Sequence, residues 1–108
     1  MTDPTPDDLA TLASAMGYTV TLDDSGGYGV VRVVIDGGFY GVSSRSVFCP
    51  HLDAAQAWEV MAWLAEHRKL PTIAHRHMQV DGLPYRHDGT AAGIRRAVVE
   101  AAIRVAKG

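Results

Sequence analysis

Hydrophobic positions in this chain recur first every three or four residues, then every second residue, then again every three or four. These two periods separate helices from half-buried strands. Thr5-Pro6-Asp7-Asp8 reads as a helix start: a hydroxyl to cap, a proline suited to the first helical position, and acids near the positive helix end. Leu9, Leu12, Ala13 and Met16 follow at helical spacing, and Gly17 suits the residue after the helix. Residues 1–4 read as a frayed tail.

Tyr18, Val20 and Leu22 then alternate with Thr19, Thr21 and Asp23, which predicts a strand. Asp24-Ser25-Gly26-Gly27 and Asp36-Gly37-Gly38 supply turns. Between them Tyr28 to Ile35 is rich in β-formers and reads as a central strand, with Val31, Val33 and Ile35 as its apolar row; Phe39 to Phe48 reads as a third. An antiparallel meander results.

Asp53 is a predicted N-cap, and Ala54, Ala57, Trp58, Met61, Leu64 and Ala65 form a predicted core stripe over three turns. Val60, Trp63 and His67 lie on a neighbouring stripe. Beyond Pro71, Thr72 to Val80 reads as a fourth strand and Asp81-Gly82 as a turn. Leu83 to His87 reads as a short fifth strand or a loop, because Pro84 cannot donate to a ladder. Thr90 is the predicted cap of a last helix through Ile94, Ala97, Val98, Ala101 and Val105 to Ala106, with Glu100 and Arg104 at ion-pair spacing. The order α-β-β-β-α-β-(β)-α predicts an α+β domain spanning residues 1–108, with three helices on a largely antiparallel sheet of four or five strands. Pattern leaves open whether the helices cover one sheet face or two.

Composition narrows the function classes. A length of 108 residues with 47% hydrophobic positions suits one domain with its own core. The single Cys49 excludes an internal disulfide framework and a multi-cysteine zinc site, and fits a reducing, cytoplasmic setting. No signal peptide and no apolar run of about 18 residues is present, so no membrane association is expected. A formal net charge of −2 argues against a dominant nucleic-acid footprint.

Five groups are candidates for chemistry. His75 and His77, two apart on the predicted strand, would share a face and offer two imidazoles to one metal, with His51, His67, His87, Cys49, Asp81 or Asp88 to complete the set. Against that stands an exposed polar strand face. Cys49 near His51, and Ser43, Ser44 and Ser46, are nucleophile types, but Gly41-Val42-Ser43-Ser44-Arg45 lacks the closing glycine of a nucleophile elbow. Ser25-Gly26-Gly27-Tyr28-Gly29 joins two strands rather than a strand and a helix, so it reads as a hairpin turn and not a phosphate loop. Arg32 and Arg45, with Tyr28 and Phe39, are a candidate site for an anionic nucleotide-like ligand, since guanidinium forks pair with phosphate and aromatics stack on bases; Arg68, Lys69, Arg76 and Arg86 add positive charge in the second half. Trp63 with Val60, off the predicted core stripe, is a candidate self-association patch.

Asp53-Ala54-Ala55-Gln56-Ala57-Trp58-Glu59-Val60 and Gly93-Ile94-Arg95-Arg96-Ala97-Val98-Val99-Glu100-Ala101-Ala102 resemble helices of the phage ABA sandwich domain family. Arg95 stands where that family usually has a cysteine. The resemblance implies an α-β-α sandwich and a phage or mobile-element origin. It implies no established activity and carries over no functional residue. Together these readings predict an accessory protein that acts by binding, to a host or phage protein or to a second copy of itself. Sequestration of a nucleotide-like anion is the alternative, and a histidine-dependent metalloenzyme a further one. No cofactor is expected.

Overall fold

The computed structural model describes residues 4–24, 31–36 and 45–108. Nine elements follow one another: α1 (Pro6–Ala15), β1 (Thr19–Asp23), β2 (Arg32–Asp36), β3 (Arg45–Val47), α2 (Ala54–Glu66), β4 (Thr72–Ile73), β5 (His77–Val80), β6 (Leu83–Arg86) and α3 (Ala91–Lys107). The protein is an α+β fold with three helices and antiparallel strands. Among the described residues six strands divide into two three-stranded sheets, β1-β2-β3 and β4-β5-β6, where the sequence predicts one sheet of four or five. Among the described residues no helix is long and apolar enough to cross a membrane.

Helix α1 starts and stops on local chemistry. The Thr5 side chain accepts from the Asp8 amide (3.2 Å), and Pro6 occupies the first turn. At the other end the Gly17 amide donates to the Ser14 carbonyl (3.0 Å) and the Tyr18 amide to the Ala13 carbonyl (3.1 Å). This double closure needs a left-handed residue, and Gly17 supplies it at φ 94°. Leu9, Leu12 and Ala13 are buried, as their spacing predicts.

In the first sheet Val20 pairs with Ile35 and Leu22 with Val33 across β1 and β2, while Val34 pairs with Val47 across β2 and β3. Val33 and Ile35 turn to the core; Val31, at the open end of that row, stays exposed. Phe48 extends the pairing by one bond, its amide donating to the Val33 carbonyl (2.7 Å), and its ring is fully buried. The predicted strand segments at 28–30 and 39–44, and the turn residues 25–27, 37 and 38, lie outside the described residues.

The predicted fourth strand is in fact a hairpin. Its chain reverses at Ala74-His75-Arg76, where the Ala74 amide donates to the His77 carbonyl (2.8 Å), so β4 folds back onto β5. The next turn, Asp81-Gly82, has positive φ at both residues (55° and 76°) between the paired Val80 and Leu83. That is the type I′ geometry whose twist suits a two-residue hairpin. β6 does form, with Pro84 opposite Gln79. Alternation is clean here: Met78, Val80 and Tyr85 are buried, whereas His77, Gln79 and Arg86 face out.

Helix α3 joins the parts. It packs against both α1 and α2 and against β5 and β6, while α1 lies on β1 and β2. The two small sheets are thus each covered by a different helix. Contact on several sides explains why α3 buries Ala97, Val98, Val99, Ala101, Ala102 and Ile103 rather than one narrow stripe. Asp8 and Lys107 form an ion pair between α1 and the end of α3. Among the described residues Glu100 and Arg104, a pair expected from their spacing, form no ion pair with each other; both side chains are exposed.

Candidate functional site

Helix α2 is built as predicted but turned about its axis. Asp53 caps it, its side chain accepting from the Gln56 amide (3.0 Å). Gln56 in turn holds the preceding chain: its Oε1 accepts from the Cys49 amide (2.7 Å) and its Nε2 donates to the Val47 carbonyl (2.8 Å). One carboxamide thus stands in for a neighbouring strand at the end of β3, and it anchors the helix in one rotation. In that rotation Val60 is 0% and Trp63 8% exposed, and Ala57 and Leu64 are buried with them. Trp58, expected in the core, is 72% exposed.

Val60 and Trp63 therefore offer no patch to a partner. The Trp63 ring is covered by His67 one turn on (centroids 4.4 Å apart), and the His67 Nδ1–H donates to the Trp63 carbonyl (2.9 Å). The face left open carries Ala54, Ala55, Trp58, Ala62 and Ala65, with Leu52 exposed just before the helix. The signal was present in the sequence. α2 is apolar round most of its circumference, so two different stripes satisfied the same period.

The proposed arginine site does not converge. Arg32 sits opposite Asp23 in the β1–β2 register, and Arg45 opposite Asp36 in β2–β3. The two arginine positions thus lie at opposite ends of β2, about 13 Å apart along the strand at ordinary strand rise. Each has a carboxylate position as its cross-strand neighbour. Tyr28 lies outside the described residues.

His75 and His77 do not share a strand face. His75 is in the reversal before β5, and His77 is its first residue; both are exposed. Among the described residues no three His, Cys, Asp or Glu side chains gather closely enough to hold a metal ion. His87 is occupied elsewhere. Only 5% exposed, it donates from Nε2 to the Ala74 carbonyl (2.9 Å) and accepts at Nδ1 from the Gly89 amide (3.0 Å). Its imidazole is used as a brace between the β4–β5 reversal and the start of α3.

Cys49 is not an activated nucleophile either. Burial, and secondarily the Asp53 carboxylate, push its thiol above the ordinary value. Reactive cysteines need the opposite shift.

Sequence reasoning missed one cluster. Arg76, His77, Arg86 and His87 line a cavity of about 260 Å³ at the open end of the β5–β6 hairpin. His77 and Arg86 are direct cross-strand partners, and the His87 amide donates to the Arg76 carbonyl (3.2 Å), carrying the pairing one step further. The alternation of Arg76-His77 with Arg86-His87 was visible in the sequence, but only the hairpin register makes neighbours of them. No family model matches this chain, and no curated protein or solved structure matches it.

Proposed function

We propose that this protein acts by binding another protein chain through the open face of α2, and that a second copy of itself is one such chain. The observation that carries this reading is Trp58, whose ring stands 72% exposed in a row of exposed alanines. Ala55, Trp58, Ala62 and Ala65 follow at three-, four- and three-residue steps, the spacing of a helix-on-helix seam. That spacing reads the same in both directions about the level of Val60. Two α2 helices placed antiparallel about a two-fold axis there set each Trp58 against Ala62 of the second copy, and Ala55 against Ala65. Small residues facing a large one let the backbones approach while the indole fills the gap.

A seam of three turns is at the low end of interface sizes, so roughly micromolar or weaker self-affinity is expected. The likeness of this helix to those of the phage ABA sandwich domain family supports an accessory role of phage or mobile-element type.

The test is sedimentation velocity over a concentration series from about 10 μM to about 1 mM, the range in which an interface of this size associates. Concentration-dependent dimerisation that Trp58→Glu and Ala62→Glu both abolish is expected. A monomer at every concentration removes the self-association reading.

A further inference from the structure

We infer that the open end of the β5–β6 hairpin is a binding site for a phosphate monoester group, held by Arg76, His77 and Arg86. The argument starts from what the fold places together. His77 and Arg86 face each other across the two strands, and Arg76 stands in the reversal immediately before His77. Cross-strand side chains of this kind have their Cβ atoms about 5 Å apart, so a group held by Arg86 lies within reach of the His77 ring. Guanidinium groups that share a cavity are often offset by a carboxylate nearby. Here none lines the cavity, whose walls are Arg76, His77, Arg86 and His87. Neither guanidinium forms an ion pair or hydrogen bond with a described residue. The adjacent carboxylate, Asp88, is turned to Thr90, accepting from its amide (3.0 Å) and its hydroxyl.

The cavity is also held in shape. His87, the buried member of its lining, has both ring nitrogens committed to backbone groups, on Ala74 and Gly89. Its amide fixes Arg76 through the Arg76 carbonyl. The imidazole therefore acts as a positioning residue, and the two guanidinium groups and the His77 ring remain for a ligand. Guanidinium forks match the paired oxygens of a tetrahedral phosphate. At about 260 Å³ the space is below the range usual for whole drug-sized ligands, so it admits a phosphoryl group and its nearest atoms. A net charge of −2 disfavours an extended nucleic-acid track.

The same chemistry is offered by inorganic phosphate and by the phosphate of a nucleoside monophosphate. Amide and arginine side-chain NMR spectra of the full chain, titrated with each at constant ionic strength, distinguish them. Saturable shifts centred on residues 75–77 and 86–89 are expected, weakened about tenfold or more by Arg86→Gln and by Arg76→Gln, as for loss of a charged hydrogen-bond pair. Arg104→Gln, outside the cavity, should leave the affinity unchanged. Tighter binding of the nucleotide supports the site and identifies a nucleotide as its source, while equal affinities support it with phosphate alone. The proposal is overturned by shifts no larger than those in matched chloride, by equal affinity in folded Arg86→Gln and Arg76→Gln proteins, or by binding to an oligonucleotide without binding to either monophosphate. The α2 variants do not touch this hairpin, so either reading can fail without the other.

Discussion

The Tyr18 hydroxyl donates to a carboxylate oxygen of Glu59 at 2.6 Å, joining the residue before β1 to the middle of α2. They stand 41 positions apart in the sequence. The Tyr18 ring also packs at 6.3 Å, tilted, against Phe48, so one side chain ties the first sheet to the second helix. Burial, and next the Glu59 carboxylate, raise the Tyr18 phenol to about 12.

A pH dependence follows from that bond. Because the folded-state value lies above the unfolded value of about 10, Tyr18 stabilises the fold fully below pH ~10, and its contribution is lost as pH rises from there towards about 12. Tyr18→Phe should cost about 1–2 kcal/mol at neutral pH, since a partly buried carboxylate loses its donor. It should also flatten the decline in stability above pH ~10. Urea unfolding of both proteins at neutral and alkaline pH measures each effect.

The two tryptophans of α2 should differ sharply. Trp63→Ala removes a buried indole from the core and should cost about 3–5 kcal/mol. Trp58→Ala, at an exposed position, should change monomer stability by no more than about 0.5 kcal/mol. Chemical denaturation at low protein concentration compares them, and equal losses would contradict the rotation of α2 described above.

Arg68 closes α2 in the left-handed region, at φ 59°, with its amide donating to the Ala65 carbonyl (2.9 Å) and the Lys69 amide to the Leu64 carbonyl (2.8 Å). This is the closure that Gly17 makes on α1, carried out by a residue with a Cβ. Arg68→Gly should therefore raise stability by about 0.5–1 kcal/mol, the relief of strain exceeding the extra entropy of the unfolded chain. A higher melting temperature by differential scanning calorimetry is the expected result.

Gly93 has the opposite logic. Alanine is ordinarily better than glycine by about 1 kcal/mol within a helix. At this position, however, an added Cβ would overlap the Asp88 carboxylate, which sits over the first turn of α3 bonded to Thr90. Gly93→Ala should displace that carboxylate and lower stability by about 1 kcal/mol net. Gly93→Ala in an Asp88→Ala background should recover the helical gain, and a double-mutant cycle of melting temperatures tests the coupling.

Gln56 supports the junction of β3 and α2 with a donor and an acceptor together. Gln56→Glu keeps the acceptor for the Cys49 amide but brings a carboxylate against the Val47 carbonyl. Both Gln56→Ala and Gln56→Glu should lose about 1–3 kcal/mol, read by thermal unfolding.

Local elements were legible in the sequence because local rules make them. Thr5, Asp53 and Thr90 cap helices where a short polar side chain reaches an amide three residues on, and Asp81-Gly82 makes a hairpin because both residues accept positive φ. The α+β class follows from the same periods. The site was less legible. Trp63, Val60, Arg32 and Arg45 stand out by stripe or by composition, and neither reports which residues meet.

By itself, then, the sequence determined where the helices begin and where the chain turns at Gly17 and Asp81-Gly82, since each depends on groups a few bonds apart. Tertiary structure alone decided three things. It turned α2 so that Trp63 is inside and Trp58 outside, because Gln56, Glu59 and the surface of α3 select one of two equally apolar faces. It reversed the chain at His75, because the distant His87 imidazole holds the Ala74 carbonyl. And it set Arg76 and His77 beside Arg86, because pairing register is a long-range property that periodicity does not encode.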